Sequence, residues 1–245
     1  MTCRGDSTHP KPGQTAGLPS AGGTDTLRLS FLPAAYVMSQ GPYRLLHVGC
    51  GHYTQAHLPP PFNQAPWQEI RLDIDPTTRP DVLASITDMS AVPSQSVHAV
   101  WSSHNLEHLY AHEVPRALSE FARVLASDGF VVITLPNLKT VAEAILKVGL
   151  TEPVQIAPAG PVTPLDMLYG YRPFLERGDA FMGHRTGFTA ESLAQALRNA
   201  GFAGFAVVSS ANGWYLWAVA SLNGADAQQA RQLALKLASD GHAAA

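Results

Sequence analysis

The chain has 245 residues, of which 46% are hydrophobic, and this size and composition suit one sizeable α/β domain. Sixteen basic residues against nineteen acidic ones give a formal net charge of −3, without the basic surplus of proteins that grip a nucleic-acid backbone, so a nucleic-acid partner is disfavoured. Cys3 lies in a tail and Cys50 between two glycines, which favours a reducing compartment over a disulfide.

The two ends of the chain differ from its middle. Residues 1–26 are rich in Gly, Pro, Ser and Thr, and they predict a disordered tail because they cannot bury enough apolar surface to offset their ordering entropy. A domain is expected over residues 27–222, followed by a helix and a tail over residues 223–245. No apolar run suits a signal peptide or a membrane span, so we expect no membrane partner and a cytoplasmic location.

Strands and helices alternate through the domain. Short apolar segments predict strands at residues 43–48, 69–74, 97–101 and 130–135. Helical periodicity predicts helices at residues 113–125, stopped by Asp128-Gly129, and at residues 190–200. Such alternation is typical of a doubly wound, mostly parallel sheet with helices on both faces.

The end of the domain departs from this alternation. Residues 205–209 and 214–220 are strand-like, and only four residues separate them. Asn212-Gly213 is a strong hairpin signal, because both residue types tolerate positive φ. No helix fits in this gap, so the sequence predicts two antiparallel strands and a mixed sheet.

One long connection fits no regular element well. Residues 151–186 are rich in Pro, Gly and aromatics, and with the preceding residues they form a lid-like insert at about 139–186. The aromatics favour an ordered segment: Tyr169, Tyr171, Phe174 and Phe181. We expect a lid over an acceptor pocket; the alternative is that these aromatics pack on the sheet edge or on a second subunit.

A candidate ligand site begins at Gly49-Cys50-Gly51, directly after the first strand. Glycines at the carboxyl end of a parallel strand let a ligand approach the backbone. Asp73, followed by Ile74, ends the second strand about 20 residues further on, where a carboxylate can accept hydrogen bonds from two ribose hydroxyls. Asp88-Met89 offers an acid and an apolar residue suited to an adenine.

Taken in order, these segments resemble the motifs of small-molecule class I methyltransferases. The segments are Gly49-Cys50-Gly51, Asp73-Ile74-Asp75-Pro76, Asp88-Met89, Leu106-Glu107-His108, and residues 121–125 with Asp128-Gly129. The resemblance implies a seven-stranded Rossmann-like sheet whose last strand is antiparallel. It also implies S-adenosylmethionine as the cofactor and a small-molecule methyl acceptor.

The resemblance further assigns parts of the cofactor to residues. Gly49 and Gly51 would lie at its methionine portion, Asp73 at the ribose, Asp88 and Met89 at the adenine, and Ser103 and His104 near the sulfonium. Cys50 and Ile74 are expected to contact the cofactor as well. The chain departs from the family in two respects. A third glycine is missing after Gly51, and the stretch before Asp73 resembles a loop more than a helix.

Two histidines are candidates for the proton transfer that an oxygen or nitrogen acceptor requires. His104 follows the strand at residues 97–101, at the sheet edge where ligands bind, and His184 comes from the insert. Each would serve equally well as a hydrogen-bonded structural histidine.

Three rival interpretations remain open at this point. His104-Asn105-Leu106-Glu107-His108 formally matches the zinc motif H-x-x-E-H, but that motif needs a helix and a third ligand, and the preferred interpretation includes no metal. A nicotinamide dehydrogenase would need the missing third glycine. A non-catalytic protein that binds S-adenosylmethionine is the remaining alternative.

Overall fold

The structure is a computed structural model that describes residues 42–157, 159–223 and 227–239. The predicted tail at 1–26 therefore lies outside the described residues. The strands are β1 Tyr43–Val48, β2 Trp67–Asp73, β3 Val82–Leu83, β4 Val97–Ser103, β5 Leu125–Pro136, β6 Gln155–Ala157, β7 Gly160–Val162, β8 Gly204–Ser209 and β9 Tyr215–Ser221. The α-helices are α1 Val114–Val124, α2 Leu138–Val148, α3 Pro164–Tyr169, α4 Arg172–Glu176, α5 Ala190–Asn199 and α6 Ala227–Ser239.

Seven strands form one sheet in the order β3-β2-β1-β4-β5-β9-β8. The first five are parallel to one another, while β9 runs antiparallel to both β5 and β8. This confirms the predicted fold class, a doubly wound and mostly parallel sheet with an antiparallel last strand. Because the chain moves outward from β1 to β3 and then returns to β4, strand order reverses between β1 and β4, where open α/β sheets bind ligands.

Both faces of the sheet are covered. On one face α1 and α5 bury Leu118, Phe121 and Leu193 against the strands. On the other, α6 shares an apolar cluster with Phe62, which belongs to the connection between β1 and β2. That connection contains only a short 3-10 helix, Gln55–His57, so a loop covers the sheet where relatives are expected to have a helix.

The junction of α1 and β5 corrects one prediction. Asp128-Gly129 was expected to stop the helix, but α1 ends at Val124 and β5 begins at the next residue. The strand is irregular there: Val97 pairs with Leu125 whereas Ala99 pairs with Phe130, so residues 126–129 bulge out of register. The glycine therefore serves a bulge within a strand and not a helix end.

The β8–β9 hairpin is confirmed, although its turn works differently from the prediction. Only Gly213 of the Asn212-Gly213 pair has a positive φ, of +80°. Asn212 acts through its side chain, whose Oδ1 accepts hydrogen bonds from the Ser210 hydroxyl at 2.7 Å and from the Trp214 amide at 3.1 Å.

The segment expected to be irregular contains α2, the β6–β7 hairpin and the short helices α3 and α4. A buried carboxylate organises the start of α3. Asp166 accepts hydrogen bonds from the Thr163 amide at 2.8 Å and from Arg172 Nε at 2.7 Å. Burial works against ionisation of Asp166, but the bonds from Arg172 and Thr163 outweigh it and lower its pKa to about 2.

Candidate active site

The glycine loop lies where the strand order reverses. Gly49 and Gly51 both have left-handed φ values, of +56° and +53°. A Cβ on Gly51 would meet no atom within 4 Å, whereas a Cβ on Gly49 would lie 1.6 Å from Asn105 Oδ1. Gly51 therefore leaves open space beside the backbone, and Gly49 makes room for a neighbouring side chain.

Asn105 and Arg71 hold this loop in place. Asn105 Nδ2 donates to the carbonyls of Val48 and Ser103, each at 3.0 Å, and so joins the ends of β1 and β4. Arg71 reaches back from β2 and donates to the Gly51 carbonyl at 2.6 Å and to the Tyr53 carbonyl at 3.0 Å. These side-chain hydrogen bonds order the loop, which is not followed by a long helix that could stabilise it.

Asp73 closes the other side of the loop. Its carboxylate accepts hydrogen bonds from the Gly51 amide at 2.7 Å and from the Asp75 amide at 2.9 Å. Each oxygen takes one backbone donor, which leaves lone pairs for further donors. Ile74 is 48% exposed beside it.

The predicted adenine residues have different surroundings. The Asp88 side chain is 59% exposed and lies 3.9 Å from Arg116. Its loop starts beside Asp73, because the Ala84 amide that follows β3 donates to the Asp73 carbonyl at 2.9 Å. Met89 is fully buried in the core, so its side chain offers no surface to an adenine in this conformation.

Cys50 is likewise turned inward. Its side chain has no exposed surface, and its amide donates to the Leu72 carbonyl at 3.2 Å. Burial raises the pKa of the Cys50 thiol to about 11, so the thiol stays protonated and inert. The residue therefore anchors the loop to the sheet, and within the predicted Gly49-Cys50-Gly51 segment it is the Gly51 backbone that borders open space.

A histidine–carboxylate pair follows β4. His104 has a φ of +52°, rare for a non-glycine residue, and its Nδ1 lies 2.9 Å from Glu107 Oε1. A carboxylate can only accept, so Nδ1 carries the hydrogen and Nε2 of the neutral ring keeps a lone pair. Among the described residues, three buried atoms here find no hydrogen-bond partner: Ser103 Oγ, His104 Nε2 and Glu107 Oε2. Unsatisfied buried polar atoms at one place are typical of a ligand site.

Electrostatics favour the ionised form of Glu107, although its side chain is only 2% exposed. Burial opposes ionisation, but the hydrogen bond from His104 and the fields of His104, His108 and His184 outweigh it and lower the pKa of Glu107. The Tyr215 ring packs edge-on against His104, with ring centroids 5.4 Å apart. Burial raises the pKa of the Tyr215 hydroxyl, which donates to Gln155 Oε1 of the insert at 3.2 Å.

The insert brings His184 to the same place. Both the Arg185 and the Thr186 amides donate to the Glu107 carbonyl, at 2.8 and 3.2 Å. His184 Nδ1 lies 2.8 Å from the Met167 carbonyl, and burial lowers the pKa of His184, which favours the neutral ring. Both predicted catalytic histidines thus lie around Glu107, whereas only His104 is hydrogen-bonded to it.

The geometry also bears on the zinc-protease alternative. Residues Leu106–His108 form a single 3-10 turn, and His104 precedes it in a left-handed conformation. His104 and His108 therefore do not share the face of an α-helix, which the H-x-x-E-H arrangement requires.

Sequence reasoning missed four residues that shape this site: Arg71, Asn105, Glu107 in its role as partner of His104, and Tyr215. Asn105 left a faint signal, since it directly follows Ser103-His104 at a strand end. Arg71 and Tyr215 left none, because their roles depend on which strands become neighbours.

The strand order, the glycine loop at the reversal point and the carboxylate of Asp73 are features that nucleotide-binding sites of α/β proteins share. A family model described as a methyltransferase domain matches residues 46–133, which contain the glycine loop, Asp73, Asp88 and His104. This part of the chain is therefore similar to a methyltransferase domain. The match supports the predicted methyltransferase class, its enzymatic nature and its cofactor.

Solved structures with related folds include methyltransferases. The CMeT domain of the citrinin polyketide synthase is 15% identical, with a TM-score of 0.48, over 74% of this chain and 46% of that one. A protein from Pyrococcus horikoshii is 10% identical (TM-score 0.49; 76% and 84% covered). An S-adenosylmethionine-dependent methyltransferase from Archaeoglobus fulgidus is 16% identical (TM-score 0.46; 74% and 86% covered).

The chain thus spans about half the length of the first of these proteins. No curated protein sequence matches the chain. Within the described ranges, none of the helices combines the length and the apolar character needed to cross a membrane.

Proposed function

We propose that this chain transfers a methyl group from S-adenosylmethionine to an oxygen or nitrogen atom of a small-molecule acceptor. The observation that carries the proposal is the open backbone at Gly51, held beside the Asp73 carboxylate at the point where strand order reverses. A ligand with a ribose and a charged tail fits this combination of a free backbone surface and a buried acceptor of hydrogen bonds.

The residues present fit the cofactor. Gly49 and Gly51 shape the loop for the methionine portion, Asp73 would accept the ribose hydroxyls, and exposed Ile74 and Asp88 would face the adenine. Ser103 Oγ is buried and makes no hydrogen bond within the described ranges, and it would form one with the bound molecule. Cys50 and Met89 support this surface from the core. When bound, the cofactor supplies an activated methyl group, so the protein's tasks are alignment, exclusion of water and removal of a proton.

His104 is placed to remove that proton. The hydrogen bond to Glu107 fixes the tautomer of His104. The Nε2 atom is then buried with a lone pair that no residue in the described ranges engages. Nε2 would accept the proton that an acceptor hydroxyl or amine must lose when it is methylated. The adjacent carboxylate then stabilises the imidazolium, in the way that an acidic partner does in other histidine-based sites.

The insert supports a small acceptor. It touches the site at two points, through the Glu107 carbonyl and through the bond between Tyr215 and Gln155. We infer that it covers the acceptor and excludes water, with His184 beneath the cover. The net charge of −3 lacks the basic surplus typical of nucleic-acid-binding proteins and so favours another kind of acceptor.

The test uses the full chain, methyl-labelled S-adenosylmethionine and a low-molecular-weight metabolite fraction, with mass-spectrometric detection of labelled products. His104→Asn is the matched variant, because Asn tolerates a left-handed φ and its Nδ2 can still donate to Glu107. It should bind S-adenosylhomocysteine normally and transfer methyl groups about 100- to 10,000-fold more slowly. His112→Asn, at an exposed position, should behave like wild type.

Normal transfer by His104→Asn would remove the histidine from the chemistry. Cofactor binding without any labelled product would favour the non-catalytic alternative.

A further inference from the structure

Three side chains with metal-binding atoms meet beneath the insert. Glu107, His108 and His184 each offer one ligand atom, and these atoms all lie within 4.8 Å of one another. Glu107 and His108 belong to the turn after β4, and His184 comes from the insert, 76 positions further along the chain. Proximity alone would not define a site, since titratable groups often cluster at the ends of strands.

The hydrogen bonds show that this cluster is organised. His108 Nδ1 donates to the Gly183 carbonyl at 3.2 Å, and His184 Nδ1 donates to the Met167 carbonyl at 2.8 Å. Both rings are thereby held in the tautomer that leaves Nε2 with a lone pair. A histidine that binds a metal usually donates the hydrogen of its other ring nitrogen to a backbone carbonyl, a carboxylate or a water molecule.

The carboxylate provides an independent observation. Glu107 Oε1 is engaged by His104, but Oε2 is buried and has no partner within the described part of the chain. The side chain is only 2% exposed, and leaving such a charged oxygen unsatisfied is costly. A cation beside Oε2 would satisfy it without disturbing the bond to His104.

We propose that Glu107, His108 and His184 bind a divalent transition-metal ion, with Zn²⁺ as the representative. Two imidazoles and one carboxylate form a donor set that suits Zn²⁺, Co²⁺ or Fe²⁺ far better than Mg²⁺ or Ca²⁺, which prefer oxygen. Tetrahedral zinc ligands lie about 3.3 Å apart, so side-chain rotations that bring the ligand atoms closer by up to about 1.5 Å would complete the site. The site differs from the sequence-based expectation of no metal, because its third ligand comes from a distant segment.

Such an ion would fasten the insert to the turn after β4. His184 is the ligand from the insert, and Glu107 and His108 are the ligands from the methyltransferase domain. Three protein ligands also leave a coordination position open for water or another small ligand. Metal binding does not depend on the proposed methyl transfer and is measured without any cofactor.

The experiment uses the untagged full chain, stripped with a chelator and then titrated with Co²⁺ and with Zn²⁺. Co²⁺ reports on its ligands through visible absorption, and dialysis followed by elemental analysis gives the zinc content. The matched variants are His184→Asn and His108→Asn, since the Asn Nδ2 can keep the bond to the backbone carbonyl while the ligand nitrogen is lost. His112→Asn is the control, an exposed histidine close in sequence.

We expect wild type and His112→Asn to bind one equivalent of either ion, with a Co²⁺ spectrum of low coordination number. Each matched variant should bind at least about tenfold more weakly, as expected for loss of a ligand or its support. Zinc should also raise the unfolding temperature of wild type and not of the variants. Circular dichroism without metal shows whether each variant is folded. One folded variant is enough to compare metal binding with wild type.

Failure of wild type to retain a stoichiometric ion would overturn the proposal. So would equal binding by wild type and a folded His108→Asn or His184→Asn chain, because the ion would then lie elsewhere.

Discussion

The two glycines of the loop after β1 should respond differently to the same substitution. Both have φ near +55°, so an added methyl group meets the same backbone cost at each, roughly 1–2 kcal/mol for a left-handed residue. Part of that cost is offset because alanine also restricts the unfolded chain. Gly51→Ala should therefore destabilise the domain by only about 1 kcal/mol.

Gly49→Ala carries a second cost. Its Cβ would lie 1.6 Å from Asn105 Oδ1 and 2.5 Å from Asn105 Cγ, so the amide must move. Moving it breaks the bonds of Nδ2 to the Val48 and Ser103 carbonyls, and buried groups left unsatisfied cost about 1–3 kcal/mol. The total is about 2–4 kcal/mol, which lowers the unfolding temperature by roughly 5–15 °C in a chain of this size.

Urea unfolding followed by circular dichroism measures both changes, and a double-mutant cycle isolates the cause. In an Asn105→Ala background the clash is absent, so Gly49→Ala should cost no more than Gly51→Ala does in wild type. Gly51→Ala should instead lower affinity for S-adenosylhomocysteine, because its methyl group enters the open space. Equal destabilisation by the two substitutions in wild type, or an unchanged cost of Gly49→Ala without Asn105, would refute the packing argument.

Three further predictions concern the cofactor, the insert and pH. Asp73→Asn should keep the fold and weaken S-adenosylhomocysteine binding about tenfold or more, as measured by calorimetry, since charge-assisted hydrogen bonds are lost; unchanged affinity would place the ribose elsewhere. The pKa of Asp166 is lowered to about 2, below its ordinary value of 3.8, so its ionised form stabilises the fold above about pH 4 and this contribution is lost as pH falls towards 2. Asp166→Asn should thus cost about 2 kcal/mol at pH 7 in urea unfolding, with a deficit that shrinks only below pH 4; a deficit independent of pH would contradict this origin. Residues 164–181 should exchange amide hydrogens quickly without ligand and slowly with S-adenosylhomocysteine; strong protection in both states would mean a fixed element and no lid.

The sheet could be predicted from sequence because its signals are local. Short apolar segments that end in Gly or Asp predict strands, and only four residues separate the last two of them. Few arrangements of the strands in a sheet are compatible with both features. The errors arose where local signals have two uses. Asp128-Gly129 can stop a helix or form a bulge. The bulge forms because β5 pairs with β4, an interaction between segments that are distant in sequence.

The site was predictable in part for the same reason. Asp73 and the glycine loop lie at strand ends that any parallel sheet brings together. Which glycine faces open space could not be predicted, since Asn105 occupies the space at Gly49 from 56 positions away. Met89 and Cys50 were assigned to ligand contact by position in a motif, but burial is decided by packing, and both side chains face the core.

The central claim is that the edge of the sheet around Gly51 and Asp73 binds S-adenosylmethionine. Isothermal titration of the purified full chain with S-adenosylhomocysteine tests it most directly. We predict saturable binding to one site per chain, weakened by Gly51→Ala and by Asp73→Asn and unaffected by His112→Asn. No heat and no thermal shift at millimolar ligand would contradict the account.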